Sequence, residues 1–144
     1  MASEDLELTG AVAELISDHR QYRRIVPPLE FQVYHRFFLK YYERCLREDP
    51  RGKWAHSRYS AGWDIVRWFT GLWDNPSIQR DVIVDLKSWL ARLYVGSDDS
   101  IRTCLVTATL EHLFERPDLR QFFSDWKTDS ALAVAFRQAA EWSE

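Results

Sequence analysis

DNPSIQRDVIVDLKSWLARLYVGSDDSIRTCLVTATLEHLFE, residues 74–115, reads as two helices with punctuation at each end. Asp74-Asn75-Pro76 is a start signal. Asn75 offers a side-chain oxygen as N-cap, and Pro76 has the φ of a first turn and no N–H to leave unpaired. Ile78, Val82, Leu86, Trp89, Leu90 and Leu93 recur at helical spacing as one apolar stripe, and Gly96 closes the helix. Ser97-Asp98-Asp99-Ser100 then supplies caps and first-turn negative charge for a second helix over about 101–115. Ile101, Cys104, Leu105, Ala108 and Leu113 are its inward positions. No Asn-Gly or Asp-Gly turn and no sustained apolar/polar alternation breaks this pattern, so the fold class is all-α.

The same reading extends outward. On the N-terminal side the spacing predicts a helix over about 60–73, with Trp63, Val66, Phe69, Leu72 and Trp73 facing inward. Gly62 and Gly71 each weaken it by ~1 kcal/mol relative to alanine unless they admit a close helix contact. A longer helix runs from Pro28 to about Glu48 and buries two rows, Val33-Phe37-Tyr41-Cys45 and Tyr34-Phe38-Tyr42-Leu46. Between these lies a surface loop, 49–60, holding Trp54 among Lys53, His56, Arg58 and Tyr59. A first helix begins near Thr9 and stops before Pro27-Pro28, its last turn carrying Arg20, Arg23 and Arg24. On the C-terminal side Pro117 opens a short helix with Leu119, Phe122, Phe123 and Trp126 inward. Thr128-Asp129-Ser130 caps a last helix carrying Leu132, Ala135, Phe136, Ala139 and Trp142. The expectation is a single domain, 1–144, built as an irregular bundle of about seven helices, with a HEAT-like stack of helix pairs as the variant.

At 144 residues, 46% hydrophobic and 28% charged, the chain can bury its own core without metal or disulfide staples. Its net charge of -3 gives no overall attraction to nucleic acid or an anionic membrane. The most apolar run, 101–110, is interrupted by Arg102, Thr103, Thr107 and Thr109 and falls short of a membrane span. Glu4, Asp5 and Glu7 stand where a secretory signal carries basic residues, which points to a cytoplasmic protein. Cys45 and Cys104 fit two buried thiols in a reducing compartment, with no pair spaced for zinc or redox chemistry.

The four histidines are not paired at the spacing of a zinc protease or deaminase, and no phosphate-binding or nucleophile-elbow motif occurs. The sequence therefore points to a non-enzyme with no cofactor and no metal site. Glu111-His112 is the most notable ionisable pair, since it interrupts an apolar helix. It reads as an acid/base or partner-contact pair, or as a carboxylate bonded to a neighbouring helix beside a partly solvated imidazole. Trp54 reads either as an interface anchor or as a lid folded over the bundle. The carboxylates Asp64, Asp74, Asp81, Asp85, Asp98, Asp99, Glu111 and Glu115 concentrate in the second half, where they could steer a basic partner or simply solvate helix surfaces.

The stretch YVGSDDSIRTCLVTATLEHLFE, 94–115, resembles a block of small all-helical bacterial proteins of uncharacterised-domain type, some of them immunity proteins against antibacterial toxins. Asp98, Asp99, Leu110, Glu111 and Leu113 match its acidic turn and Leu-Glu-x-Leu helix end; Thr109 stands where the block has an aromatic residue. The resemblance covers about a sixth of the chain. It implies a non-catalytic protein that covers a cognate toxin or effector.

The sequence reading is accordingly an immunity-type protein inhibiting by occlusion, with Trp54, Trp73, Asp74, Asp98 and Glu111 as candidate anchors. A nucleic-acid-associated or regulatory adaptor using Arg51, Lys53, Trp54 and Arg58 is the alternative. A hydrolase with an acidic site is a third reading.

Overall fold

The computed structural model describes residues 28–53 and 56–143, the side chains of 28–34 and 37 excepted. Every regular element among the described residues is helical. The expected helix near Thr9, with Arg20, Arg23 and Arg24, and the indole of Trp54 lie outside the described residues. The chain divides into two compact units, Met1–Ala61 and Gly62–Glu144.

In the first unit, helix α1 spans Pro28–Glu48. Of the two expected rows, Phe38, Tyr41, Tyr42, Cys45 and Leu46 are buried. Pro50 forbids continuation, and the chain turns through Asp49, Arg51 and Gly52 at φ of 45°, 53° and 86°. Asp49 N–H still donates to Cys45 O at 2.9 Å, so a left-handed residue closes the helix. Its carboxylate accepts from Arg58 N–H and from Arg51 Nε, both at 3.1 Å. The Arg58 backbone bond, first among several causes, holds the Asp49 carboxyl below its usual range. Tyr41 Oη accepts from His56 N–H at 3.0 Å, tying the far end of the loop to α1.

That loop is shorter than expected. Helix α2 spans Arg58–Trp73, because Ser57 Oγ accepts from Ser60 N–H at 3.2 Å and acts as a cap that starts the helix early. Ala61, Ile65, Trp68, Phe69 and Leu72 form its buried face. Trp63 was expected there but is 44% exposed, since it stands about 200° around the helix from both Ala61 and Ile65.

In the second unit, helix α3 spans Arg80–Val95 and starts later than Asn75-Pro76 suggested. Asn75 does use its side-chain oxygen, but on Ser77 N–H at 2.9 Å, while Ile78 N–H donates to Asn75 O. These bonds make a turn of the segment that Pro76 was expected to open as helix. Ile83, Leu86, Leu90 and Leu93 are buried; Ile78, Val82 and Trp89 are half-buried. Arg102 closes the helix, donating to Tyr94 O and Val95 O at 2.9 Å each.

Helix α4, Asp99–Leu105, runs without a break into a π-helical turn, Val106–Leu110, and then α5, Glu111–Leu113. Asp98 caps it as expected, Oδ1 accepting from Ile101 N–H at 2.9 Å. The five residues expected inward on it are all buried. The wide turn was not expected. It falls where Gly62 meets it, so close that a Cβ on Gly62 would lie 2.6 Å from Ala108 Cβ. The buried Thr109 hydroxyl donates to Gly62 O at 3.1 Å across the same contact. Helix α6, Pro117–Phe122, a 3₁₀ turn over Ser124–Thr128 and helix α7, Ala133–Trp142, complete the unit. Asp129 Oδ1 accepts from Ala131 and Leu132 N–H ahead of α7, whose Trp142 is exposed. Tilted and edge-on contacts join Phe69, Phe114, Phe123, Trp126 and Phe136, with centroids 4.9 to 5.7 Å apart, in the range that favours aromatic pairs.

Candidate partner-binding surface

Three helix ends of the second unit meet at Trp73. It is the last residue of α2; Asp74 follows it in the turn, and Arg80 opens α3. The third end is the start of α6. Pro117 keeps Arg116 extended, at φ -92° and ψ 121°, and takes the first helical position itself. Asp118 then sits in the first turn of α6, where negative charge is favoured, and accepts from Leu119 N–H at 2.9 Å.

Arg116 joins two of these ends, that of α2 and the start of α6. Its guanidinium forms a two-pronged pair with Asp74, both bonds 2.8 Å, and also donates to Asp118 at 2.9 and 3.2 Å. The indole Nε1–H of Trp73 donates to the other side of the network, at Asp118 Oδ2, 2.9 Å away. Hydrogen bonds from Arg116 hold the Asp74 carboxyl below its ordinary range. The Trp73 indole, and after it Arg116, do the same for Asp118. Arg116 in turn binds its proton more firmly, first through Asp74.

Above this network lies an aromatic face. The Arg80 guanidinium lies 4.1 Å from the Trp73 ring centroid and 5.2 Å from that of Phe122, with the two rings 5.0 Å apart. Lys87 Nζ sits 4.5 Å from the Phe122 ring, donates to Phe122 O at 2.7 Å and pairs with Asp125. Trp73 and Phe122 are half-buried; Arg80, Asp74, Asp118 and Asp125 are exposed.

Two of the residues singled out in the sequence, Trp73 and Asp74, thus belong to this network; Asp98 and Glu111 take no part in it, and Trp54 lies outside the described residues. Asp98 is exposed and serves as the α4 cap. Glu111 is half-buried, and no described residue hydrogen-bonds its carboxylate. Its neighbour His112 pairs instead with Glu115, Nδ1 to Oε1 at 3.1 Å, and stacks on Trp63 with ring centroids 3.8 Å apart. His112 thus has a carboxylate neighbour in Glu115, three residues on along one helix face.

Sequence reading missed Arg80, Arg116, Asp118 and Phe122. Arg116-Pro117-Asp118 did carry a signal, a basic residue and an acid on either side of a helix-opening proline, but nothing in it named Trp73 as the partner. Among the described residues no three His, Cys, Asp or Glu side chains gather as a metal ion would require. No described helix is long and apolar enough to cross a membrane. Comparison with family models, curated proteins and solved structures finds no match.

Proposed function

We propose that this chain is a non-catalytic, immunity-type protein of the bacterial cytoplasm, which binds a cognate antibacterial toxin through the Trp73 surface and neutralises it by occlusion. The observation that carries the reading is the restraint on Trp73. Its indole N–H is held by Asp118 and its face is covered by the Arg80 guanidinium. An aromatic and an arginine already fixed in place lose little freedom on association, and these two residue types dominate the energetics of protein interfaces. The carboxylates around them are ionised and hydrogen-bonded, a state suited to recognition more than to proton transfer. An interface of about 1,600 Å² centred here suffices for tight binding. The partial resemblance over residues 94–115 points the same way.

The test is protection of bacterial cells from a secreted toxin encoded beside this chain. Co-expression restores growth, and purified toxin and chain form a stable complex. Trp73→Ala weakens that complex by about 30-fold, the effect of losing an interface anchor. Absence of binding and protection by the wild-type chain rejects the function. Unchanged affinity in Trp73→Ala moves the docking surface elsewhere.

A further inference from the structure

The charges around Trp73 are not equivalent. Arg116 is engaged with two carboxylates, and Lys87 with Asp125 and Phe122 O. Arg80 differs. Its guanidinium lies over the faces of Trp73 and Phe122, and no described residue hydrogen-bonds that group or forms an ion pair with it. Two cation–π contacts hold the Arg80 guanidinium over the rings without using its N–H groups as hydrogen-bond donors. The planar fork of those donors matches the two oxygens of a carboxylate, and the ring contacts already restrict the side chain.

The geometry points to Arg80 as the receptor for a single carboxylate of the partner, set among basic side chains on the partner's surface. This rests on the reading of the Trp73 surface as the docking face. The basic surround follows from charge complementarity. Asp74 and Asp118 share the single cation Arg116, which leaves one negative charge in excess where Asp118 holds the Trp73 indole, while Asp125 is matched by Lys87. That excess charge disfavours an extended polyanion that would otherwise be drawn to a lone arginine. A carboxylate flanked by lysines or arginines satisfies Arg80 and that excess negative charge together, since like charges set against each other at an interface are costly.

Two blocked pentapeptides probe this directly, acetyl-Arg-Lys-Glu-Lys-Arg-amide and its counterpart with glutamine at the centre. Binding is followed at low salt by NMR of the arginine Nε–H resonances, with the Arg80 signal assigned by its loss in Arg80→Lys. The glutamate peptide shifts the Arg80 resonance and binds about tenfold more tightly than the glutamine peptide, as a charge-assisted bond predicts. In Arg80→Gln, an exposed substitution whose helical signal and urea midpoint match the wild type, the preference disappears. Arg80→Lys recovers only part of it, because an ammonium lacks the planar fork. Equal binding of both peptides, or a preference that survives Arg80→Gln, overturns the inference. Either result leaves toxin protection by the wild-type chain untouched. Lost protection alongside an intact peptide preference would remove the toxin reading and leave this site standing.

Discussion

At Gly62 the space for a side chain is set by Ala108, whose Cβ would be 2.6 Å from any new Cβ, closer than two carbons can approach. Gly62→Ala must push α2 off the π turn, and overpacking of that kind costs about 1–3 kcal/mol. The helix propensity gained by alanine is smaller, ~1 kcal/mol, so the net effect is a lower urea midpoint with an unchanged slope. Thr109→Val keeps the shape and removes the hydroxyl bonded to Gly62 O; it costs about 1 kcal/mol in the same assay. Arg116 makes a different prediction. Asp74 and Asp118 both titrate below the unfolded carboxylate value of 3.8 in the folded chain. Their stabilisation is therefore fully present above that value and is lost as pH falls through the lower folded values. Arg116→Met lowers stability at neutral pH by only ~1 kcal/mol, because its side chain and its partners' are 37–58% exposed and screened by solvent. It also flattens the acid limb, so urea midpoints of the two proteins converge below pH 3.8. An acid limb as steep in Arg116→Met as in the wild type would show that the network does not stabilise the fold.

Helix ends follow the sequence where one local bond decides them. Asp98 was legible as the start of α4, because a cap needs only its own oxygen and an N–H three residues on. Asp98→Ala should destabilise the chain by ~1 kcal/mol and Asp98→Asn by much less, a comparison that thermal unfolding resolves. Asn75 was legible as a residue that bonds forward, but the same oxygen can cap a helix or close a turn, and on Ser77 it closes a turn. The π turn was not legible at all, since VTATL carries no local mark of a wide turn and the contact that accompanies it, Gly62 on Ala108, spans 46 positions. For the same reason only half of the candidate surface could be read. Trp73 and Asp74 are neighbours in sequence, whereas Arg116 and Asp118 reach them from 42 and 45 residues away. The π turn accommodates one residue more than a regular helix would. Deletion of Thr107 should therefore restore α-helical spacing while keeping Ile101 and Leu113 on their faces. Deletion of Ser88 in α3 instead rotates Leu90 and Leu93 by about 100° relative to Leu86. Cooperative unfolding should survive the first deletion and not the second, as circular dichroism against temperature will show.

For the molecule as a whole, the distribution of positive charge separates the protein-binding reading from the nucleic-acid alternative. Most described arginines are committed to neighbours within the chain. Arg44 and Arg47 pair with Glu48 and Glu43 along α1, Arg51 with Asp49, and Arg67 with Asp64. Arg58 donates to Leu46 O, Arg102 to Tyr94 O and Val95 O, and Arg120 to Phe114 O and Ser143 Oγ. Arg116 is shared by two carboxylates. Binding to a nucleic acid draws its free energy from cations that displace condensed counterions, and each phosphate neutralised adds nearly one unit to the salt slope. Cations already paired must first give up a carboxylate or carbonyl, and the chain's net charge of -3 opposes the approach of a polyanion. The arginines on which the adaptor reading relied, Arg51 and Arg58, are among those engaged. A fluorescent oligonucleotide of about 20 nucleotides, single- or double-stranded, should show no change in anisotropy even at about 50 mM salt, where non-specific binders are readily detected. Association with a basic toxin should behave in the opposite way. Its on-rate should be high at low salt and fall as the Debye length shrinks below about 10 Å, while its off-rate, set by desolvated contacts at Trp73, changes little. Salt-sensitive oligonucleotide binding would restore the adaptor reading.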